Sequence, residues 1–207
     1  MYYKLDKLLK DTLYSPEQIN DIVKRLGAQI SEDFAGKELF VVSLANGANM
    51  FANDLIRHID PSINVKIDYM TAKSYEKNVW TGEVDIKRPL LFAPHKHEHV
   101  LIVDDIFDTG TTMQAIVNWF KKYGCEDVST CVLLNKLIEK KTDLQVDYIG
   151  DDIEDHFVFG YGLDIDESFR NLPFIGIADF DYINSCSDHV VPPHSITKWM
   201  DQHKDLP

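Results

Sequence analysis

The spacing of apolar residues along the chain predicts alternating helices and strands. Residues 15–18 (SPEQ) have the sequence of a helix start, with Ser as the N-cap and Pro at the first helical position, and apolar residues recur at helical spacing over 19–34. Short apolar runs rich in β-branched residues are typical of strands that are buried on both faces. Such runs lie at 38–44 (ELFVVSL), 100–103 (VLIV) and 128–135 (VSTCVLLN).

The remaining segments continue this alternation. Apolar and polar residues alternate over 63–69, which predicts a strand with one wetter face. Residues 73–98 have no sustained period, so we expect a long loop that could contain a short hairpin. Strands alternating with helices indicate crossover units and a mostly parallel sheet, so the predicted fold class is α/β. The further predicted elements are helices near 51–59 and over 110–123, strands at 145–149, 157–161 and 173–178, and a short helix led by Ser195.

Composition narrows the classes of partner. The chain has 34 acidic and 21 basic residues among 207, a formal net charge of −13, so its field repels nucleic acid and anionic membrane surfaces. The three cysteines form no CxxC pair, which argues against a disulfide framework and a cysteine zinc site. Neither a secretory-type start nor an apolar run of about 18 residues is recognisable. We therefore expect a single cytoplasmic domain that binds neither nucleic acid nor membranes.

The strongest chemical signal is the stretch VLIVDDIFDTGTTM at residues 100–113. Ligands of open parallel sheets bind beyond the carboxyl ends of strands, and Asp104 and Asp105 follow such a strand. The backbone of residues 108–112 precedes a helix and can offer several N–H groups to an anion, and Gly110 allows close approach. A pure phosphate site would avoid carboxylates, so the two aspartates should face hydroxyl groups or a divalent cation. Phosphate, diol and metal together indicate a phosphorylated sugar.

Competing explanations account for parts of this stretch. The paired aspartates could merely end a strand, and Asp108 could cap the following helix, as Asp often does. A receiver domain also pairs acidic residues at a strand end, but near its N-terminus, whereas here a strand-helix unit and a long loop come first. A dehalogenase-like phosphatase needs Asp-x-Asp, and Asp105 and Asp108 are three residues apart. The apolar run that leads directly into the paired aspartates favours the sugar-phosphate site.

The stretch resembles the signature of type I phosphoribosyltransferases, and the surrounding chain is similar to their hypoxanthine-guanine branch. Four more segments match that branch in order, namely LANGANMFANDLIRHI, KSYEKNVWTGEV, LLNK and DHFVFGYGLDIDESFRNLPFIG. The resemblance implies a Rossmann-like parallel sheet flanked by helices, with a small hood subdomain. We expect the core to span about 15–150 and the hood about 151–180. Whether the N-terminal segment also belongs to the hood is left open. Residues 181–207 would form an extension of unknown role.

The resemblance also implies a reaction. The phosphoribosyl group of phosphoribosyl pyrophosphate (PRPP) would pass to a 6-oxopurine, with Mg²⁺ as cofactor and pyrophosphate released. Asp104 and Asp105 would hold the ribose hydroxyls and the metal, and Asp108 corresponds to the family's proposed general base. The loop that takes the 5-phosphate would consist of Asp108, Thr109, Gly110, Thr111 and Thr112, and the pyrophosphate loop of Ala45, Asn46 and Gly47.

Three residues are implied in purine recognition. Lys136 would donate to the purine 6-oxo group and thereby reject adenine, whose 6-amino group is a donor. Phe157 would stack on the base, and Val158 would offer backbone contacts to its edge. From the residues alone, a solvated Lys136 and a Phe157 that only packs in the core remain open.

The resemblance implies further roles for four residues. Asp164 matches a carboxylate near the purine that helps hold the metal, and Arg170 matches a pyrophosphate-contacting arginine. Ser74 and Tyr75 match a pair on the loop that closes over the reacting groups. From the residues alone, Arg170 could instead form a surface ion pair with Asp166 or Glu167.

Some features depart from the family or remain outside it. The lysine that is common in the family's pyrophosphate loop is absent, because the loop reads Leu44, Ala45, Asn46 and Gly47. The alternating histidines at 95, 97 and 99 could share a strand face, but the surrounding Lys and Glu favour a solvated connector over a zinc site. Family members form dimers or tetramers, so we expect a homodimer or homotetramer. A non-catalytic regulator that senses PRPP or nucleotides stays open as a second function, although its usual nucleic-acid surface conflicts with the acidic charge.

Overall fold

The computed structural model describes residues 3–74, 84–91, 93–94 and 98–186. Within these ranges the helices are short or amphipathic, and none is both long and apolar enough to cross a membrane. In chain order the elements are α1 (Leu5–Leu8), β1 (Leu9–Tyr14), α2 (Pro16–Asp33), β2 (Glu38–Leu44), α3 (Asn49–Ile56), β3 (Asn64–Ser74), β4 (Val84–Arg88), β5 (His99–Phe107), α4 (Thr111–Lys122), β6 (Val128–Lys136), β7 (Tyr148–Ile153), β8 (Val158–Phe159), β9 (Ile175–Ala178) and α5 (Phe180–Ser185).

The main sheet has the strand order β4-β3-β2-β5-β6-β7. β2 is parallel to β3 and β5, β6 is parallel to β5 and β7, and β4 is antiparallel to β3. Five parallel strands connected mostly through helices confirm the predicted α/β class. Because neighbouring parallel strands run in the same direction, the carboxyl ends of β2, β5 and β6 lie along one edge of the sheet.

The chain divides into two compact units, one made of residues 16–156 and the other of the described parts of 1–15 and 157–207. In the larger unit, α4 packs against one face of the sheet through Met113, Ile116 and Phe120. The strand residues that point the other way, such as Val41 and Leu101, are also fully buried. Both faces of the central strands are therefore covered, which explains why their sequences are continuously apolar.

The smaller unit contains the antiparallel sheet β1-β9-β8 and the helices α1 and α5. Its core consists of Leu8, Phe159, Ile165 and Ala178. The side chain of Asp179 caps α5 by accepting a hydrogen bond of 2.8 Å from the N–H of Tyr182. Among the residues that the structure describes, the first strand thus pairs with the last one, so this sheet joins residues that are far apart in sequence.

Several predicted boundaries differ from the structure. The strand predicted over 100–103 continues to Phe107, so Asp104 and Asp105 lie inside β5 rather than after it. The strand predicted at 145–149 begins only at Tyr148. The residue before it, Asp147, accepts hydrogen bonds from the N–H and the hydroxyl group of Thr130 through its side chain and does not extend the strand. The region 73–98 contains the hairpin strand β4, which pairs with the end of β3. α1, β1 and α5 had not been predicted, and the helix predicted at Ser195 lies outside the described residues.

Replacing Phe120 by Ala should lower the free energy of unfolding by about 3–5 kcal/mol, because Phe120 is 1% exposed and its removal leaves a cavity under α4. Chemical denaturation measures the change. Tyr123→Ala is the matched control, since Tyr123 is an aromatic residue at the end of the same helix but is 67% exposed. The control should lose about 1 kcal/mol or less. Equal losses in the two variants would contradict the packing described for α4.

Candidate active site

Two adjacent carboxylates occupy the end of β5. The N–H of Asp105 donates to Oδ1 of Asp104 at 3.0 Å, and both side chains are partly buried. Burial raises the pKa of Asp104 well above its usual range, and the charge of Asp105 and a hydrogen bond with its side chain raise it further, while the main-chain N–H of Asp105 acts in the opposite direction. Ionising both carboxylates therefore destabilises the folded state. A hydroxyl donor or a cation placed against the pair would reduce this destabilisation.

The loop after β2 approaches this pair closely. A Cβ atom added at Gly47 would lie 1.7 Å from Oδ2 of Asp105, so only glycine fits there without displacing the carboxylate. The peptide bond between Ala45 and Asn46 is cis, and the N–H of Ala45 donates to the carbonyl of Met70 on β3 at 2.8 Å. Three of the predicted site residues, Ala45, Asn46 and Gly47, are thus brought to the same sheet edge as Asp105.

The loop at residues 108–112 joins β5 to α4. Gly110 has a φ of 83°, which favours glycine, and it is the N-cap of α4 without a side-chain capping bond. The idea that Asp108 caps this helix is therefore wrong. The Asp108 side chain is exposed, and the hydroxyl groups of Thr109 and Thr111 lie 3.2 Å apart. The loop combines an exposed carboxylate and partly buried hydroxyl groups with a helix N-terminus.

Lys136 is the last residue of β6, and its side chain is only 13% exposed. Its ammonium group forms an ion pair of 2.8 Å with Asp155, and this hydrogen bond and charge lower the pKa of Asp155. The alternative of a freely solvated lysine is therefore wrong. The acidic cluster DDIEDH supplies this partner, a link that the sequence alone did not indicate.

In the smaller unit, Arg170 is held by its own loop. Its guanidinium group donates to the carbonyl of Gly162 at 2.7 Å and pairs with Asp164 at 2.8 Å and Glu167 at 2.7 Å. The ion pair with Glu167 that the sequence left open is confirmed, whereas Asp166 accepts a hydrogen bond from the hydroxyl group of Tyr3 instead. Any phosphate that Arg170 binds must share or displace these carboxylates.

The loop that carries Arg170 has an unusual backbone. Asp166, Glu167 and Phe169 have φ values of 49°, 60° and 70°, although residues other than glycine rarely adopt positive φ. The N–H of Glu167 donates to Oδ2 of Asp164 at 2.8 Å, and the Phe169 ring packs edge-on against Phe159 at 5.7 Å. These contacts hold the loop in its conformation, as is common at binding sites.

Two predicted purine-binding residues lie at the start of β8, Phe157 directly before it and Val158 as its first residue. Phe157 is 42% exposed, and its ring meets that of Phe180 edge-on with centroids 5.7 Å apart. Its exposure shows that it is not only a core residue. Val158 is buried in β8, opposite Ile177 of β9. Phe180 is a neighbour that the sequence did not suggest, because no local pattern connects residues 157 and 180.

Other predicted residues lie partly or wholly outside the described residues. Ser74 ends β3, and its backbone pairs with Val84, while Tyr75 and the histidines at 95 and 97 fall outside the description. His99 begins β5, contacts the Ser129 hydroxyl at 3.0 Å and packs against the Phe34 ring, and burial lowers its pKa. Within the described ranges, no three His, Cys, Asp or Glu residues form a cluster that could hold a metal by themselves.

The chain is similar to a family of known proteins over most of its length. A model of the phosphoribosyl transferase domain matches residues 10–167. The hypoxanthine-guanine phosphoribosyltransferase of Staphylococcus aureus strain Mu50 is 40% identical over 169 residues, which are 81% of this chain and 93% of that protein. The chain belongs to the phosphoribosyltransferase family. A second relative of this phosphoribosyltransferase, from Staphylococcus epidermidis, bears the same name and is 40% identical over 173 residues, or 83% of this chain and 95% of its own.

A solved structure extends the comparison to the fold. The crystal structure of a hypoxanthine phosphoribosyltransferase from Staphylococcus aureus matches this phosphoribosyltransferase with a TM-score of 0.80 and 38% sequence identity. The match covers 87% of this chain and 97% of that one. The resemblance to the hypoxanthine-guanine branch inferred from the sequence is thereby confirmed.

The raised pKa of Asp104 predicts a pH-dependent stability. The folded state binds this proton more tightly than the unfolded state, so the associated stability is complete below the unfolded pKa of about 3.9 and is lost as pH rises through the folded value. Asp104→Asn removes the charge, and in denaturant titrations without ligand it should exceed the wild type in stability at neutral pH. The difference should shrink toward pH 4. Asp143→Asn, at an exposed carboxylate, should show no such trend, and a gain in Asp104→Asn that does not vary with pH would refute this account.

Proposed function

We propose that this phosphoribosyltransferase acts in purine salvage and transfers the phosphoribosyl group of PRPP to N9 of hypoxanthine or guanine. The products are IMP or GMP and pyrophosphate. The observation that carries the proposal is the arrangement at the end of β5, where paired carboxylates adjoin a glycine-centred loop that leads into a helix. The relatives named hypoxanthine-guanine phosphoribosyltransferases, at 40% identity, support the choice of acceptor.

The sugar phosphate needs two kinds of contact, and the two halves of this segment provide one each. Asp104 and Asp105 accept hydrogen bonds from the ribose 2- and 3-hydroxyl groups, which lowers the cost of two adjacent carboxylates. The 5-phosphate binds to the main-chain N–H groups and hydroxyl groups of the loop from Asp108 to Thr112, at the N-terminus of α4. Gly110 lets the backbone turn there.

The purine is bound by groups from two chain segments. Lys136 donates to the 6-oxo group, and since its ammonium group is nearly buried, a base with a donor at that position leaves an unpaired charge. Phe157 stacks on the base with its exposed ring face, and the main chain at Val158 contacts the edge of the base. Asp155, the ion-pair partner of Lys136, is 68% exposed and can return to water when the purine binds.

The transfer forms the bond between purine N9 and ribose C1 and breaks the bond between C1 and the pyrophosphate oxygen. Positive charge develops on the ribose and negative charge on the leaving group, and both need stabilisation. Asp108 accepts the purine proton as general base, a role for which an exposed carboxylate beside the phosphate loop is well placed. Gly47, with the preceding loop, and Arg170 contact the pyrophosphate, and Ser74 and Tyr75 belong to the segment that shields the reacting groups from water.

The donor atoms fit a magnesium ion. Mg²⁺ prefers oxygen ligands and is usually held by one or two carboxylates together with water and substrate phosphates, so a set of three protein ligands is not required. Asp104 and Asp105 provide adjacent carboxylates whose mutual repulsion a cation would relieve, and Asp164 provides another in the smaller unit. When bound, magnesium neutralises charge on the departing pyrophosphate.

We further propose that the protein forms a homodimer or homotetramer. Light scattering of the purified protein measures its oligomeric state.

The proposal is tested by incubating the purified protein with PRPP, Mg²⁺ and either hypoxanthine, guanine, xanthine or adenine, and following monophosphate formation by chromatography. We expect turnover with hypoxanthine or guanine and little with adenine. PRPP binding without turnover on any base would replace the proposed transferase with a sensor of PRPP.

Asp108→Asn should lower kcat by about 10²- to 10⁴-fold, because it removes the group that accepts the purine proton while preserving the shape of the loop. The KM for PRPP should change little. Steady-state kinetics at saturating substrate measure both values. Glu139→Gln, which neutralises an exposed carboxylate on the segment that follows β6, serves as the control and should behave as the wild type. A near-normal kcat in Asp108→Asn would remove its assignment as the base.

Lys136→Met should raise the KM for hypoxanthine by about 10- to 100-fold, because a charged hydrogen bond to the 6-oxo group is lost. The preference for hypoxanthine over adenine, expressed as a ratio of kcat/KM values, should fall as well. Lys122→Met, at an exposed lysine at the end of α4, controls for the loss of one positive charge. An unchanged preference in Lys136→Met would exclude the lysine from recognition of the 6-oxo group.

A further inference from the structure

A second lysine joins the ends of two strands next to the site. The ammonium nitrogen of Lys140 donates to the carbonyl groups of Phe107 at 3.1 Å, Asp108 at 2.8 Å and Lys136 at 2.5 Å. Phe107 ends β5 and Lys136 ends β6, so one side chain connects the two strands at their carboxyl ends. The same nitrogen lies 4.8 Å from the centre of the Phe107 ring.

These contacts occupy the lysine completely. An ammonium group has three N–H donors, and the three carbonyl groups match that number. Hydrogen bonds from a charged donor are stronger than those between neutral groups, and those to Phe107 and Lys136 are also partly buried. Burial lowers the pKa of Lys140, while the charges of Asp108 and Asp152 act in the opposite direction. With all three donors directed at the main chain, Lys140 acts through the backbone and not as a phosphate ligand.

The two residues after Lys140 also contact the loop at residues 108–112. The N–H of Lys141 donates to the carbonyl of Thr109 at 2.9 Å. A Cβ atom added at Gly110 would lie 2.3 Å from the methyl group of Thr142, and the Thr142 hydroxyl donates to Gln114 of α4 at 2.8 Å. Residues 140–142 therefore contact the loop at Asp108, Thr109 and Gly110, and Lys140 is the member of this segment whose side chain reaches Asp108.

We propose that Lys140 is a positioning residue for the transferase: its ammonium group holds the main chain at Asp108 and Lys136, and thereby orients the general base and the purine donor relative to each other. The inference rests on the proposed function, which assigns those two roles. Two side chains that act on the same purine must keep a fixed separation, and an error of about 1 Å in such a geometry can cost about 10²-fold in rate.

A double-mutant cycle between Lys140 and Asp108 tests this coupling. Lys140→Met should lower kcat by about 10- to 100-fold in the wild-type background. In the Asp108→Asn background the same change should lower kcat by less than about threefold, because the base that it positions is already absent. Lys140→Arg keeps the charge and the donors and should recover much of the activity. Lys141→Met is the matched control, since that side chain is exposed and only its main chain contacts the loop.

Hydrogen exchange of the ligand-free variants supplies a readout that does not depend on turnover. Amides of residues 108–112 should exchange faster in Lys140→Met than in the wild type and at the wild-type rate in Lys141→Met. If Lys140→Met does not fold, Lys140→Gln replaces it in both experiments. If the wild type has no transferase activity, the proposed function fails while the exchange data still decide the anchoring of the loop. Unchanged exchange at 108–112, or the same loss of kcat in both backgrounds without recovery by Lys140→Arg, overturns the inference.

Discussion

The placement of two adjacent carboxylates at the end of a buried parallel strand constrains everything around it. Asp104 and Asp105 are partly withdrawn from water and repel each other, which raises the pKa of Asp104. The repulsion within the pair does not favour the folded state, and the proposed binding of ribose hydroxyl groups or a cation would relieve it. The surrounding structure accommodates the pair at short range, because a Cβ atom at position 47 in the loop after β2 would displace the Asp105 carboxylate.

The rest of the larger site is organised by main-chain groups. In the proposed function the loop from Asp108 to Thr112 binds the 5-phosphate with backbone N–H groups, and such groups are oriented only if the peptide planes on either side are held. Lys140 holds the carbonyl groups of Phe107, Asp108 and Lys136, and residues 141 and 142 contact the loop from the same segment. The ends of the parallel strands already place side chains such as Lys136 at this edge of the sheet, close to the loop.

In the smaller unit, the guanidinium group of Arg170 is paired within its own loop. Arg170 is neutralised by Asp164 and Glu167 and hydrogen-bonded to the carbonyl of Gly162, all within a loop whose left-handed residues are fixed by local bonds. In the proposed function, a phosphate of the pyrophosphate would replace one of these carboxylates, so that one negative partner of the guanidinium group takes the place of another.

The sequence by itself determined the alternation of strands and helices, the parallel sheet and the chemistry of the stretch VLIVDDIFDTGTTM, because periodicity and strand-end motifs are local properties of the chain. It could not reveal α1 or β1, since LDKL is too short for a helical period and β1 is stabilised by pairing with β9 about 165 residues away. Nor could it separate Lys140 from the other lysines of KLIEKK, or find Asp155 as the partner of Lys136 and Phe180 as the neighbour of Phe157. These contacts join residues through space, so only the tertiary structure decided which charges and rings meet.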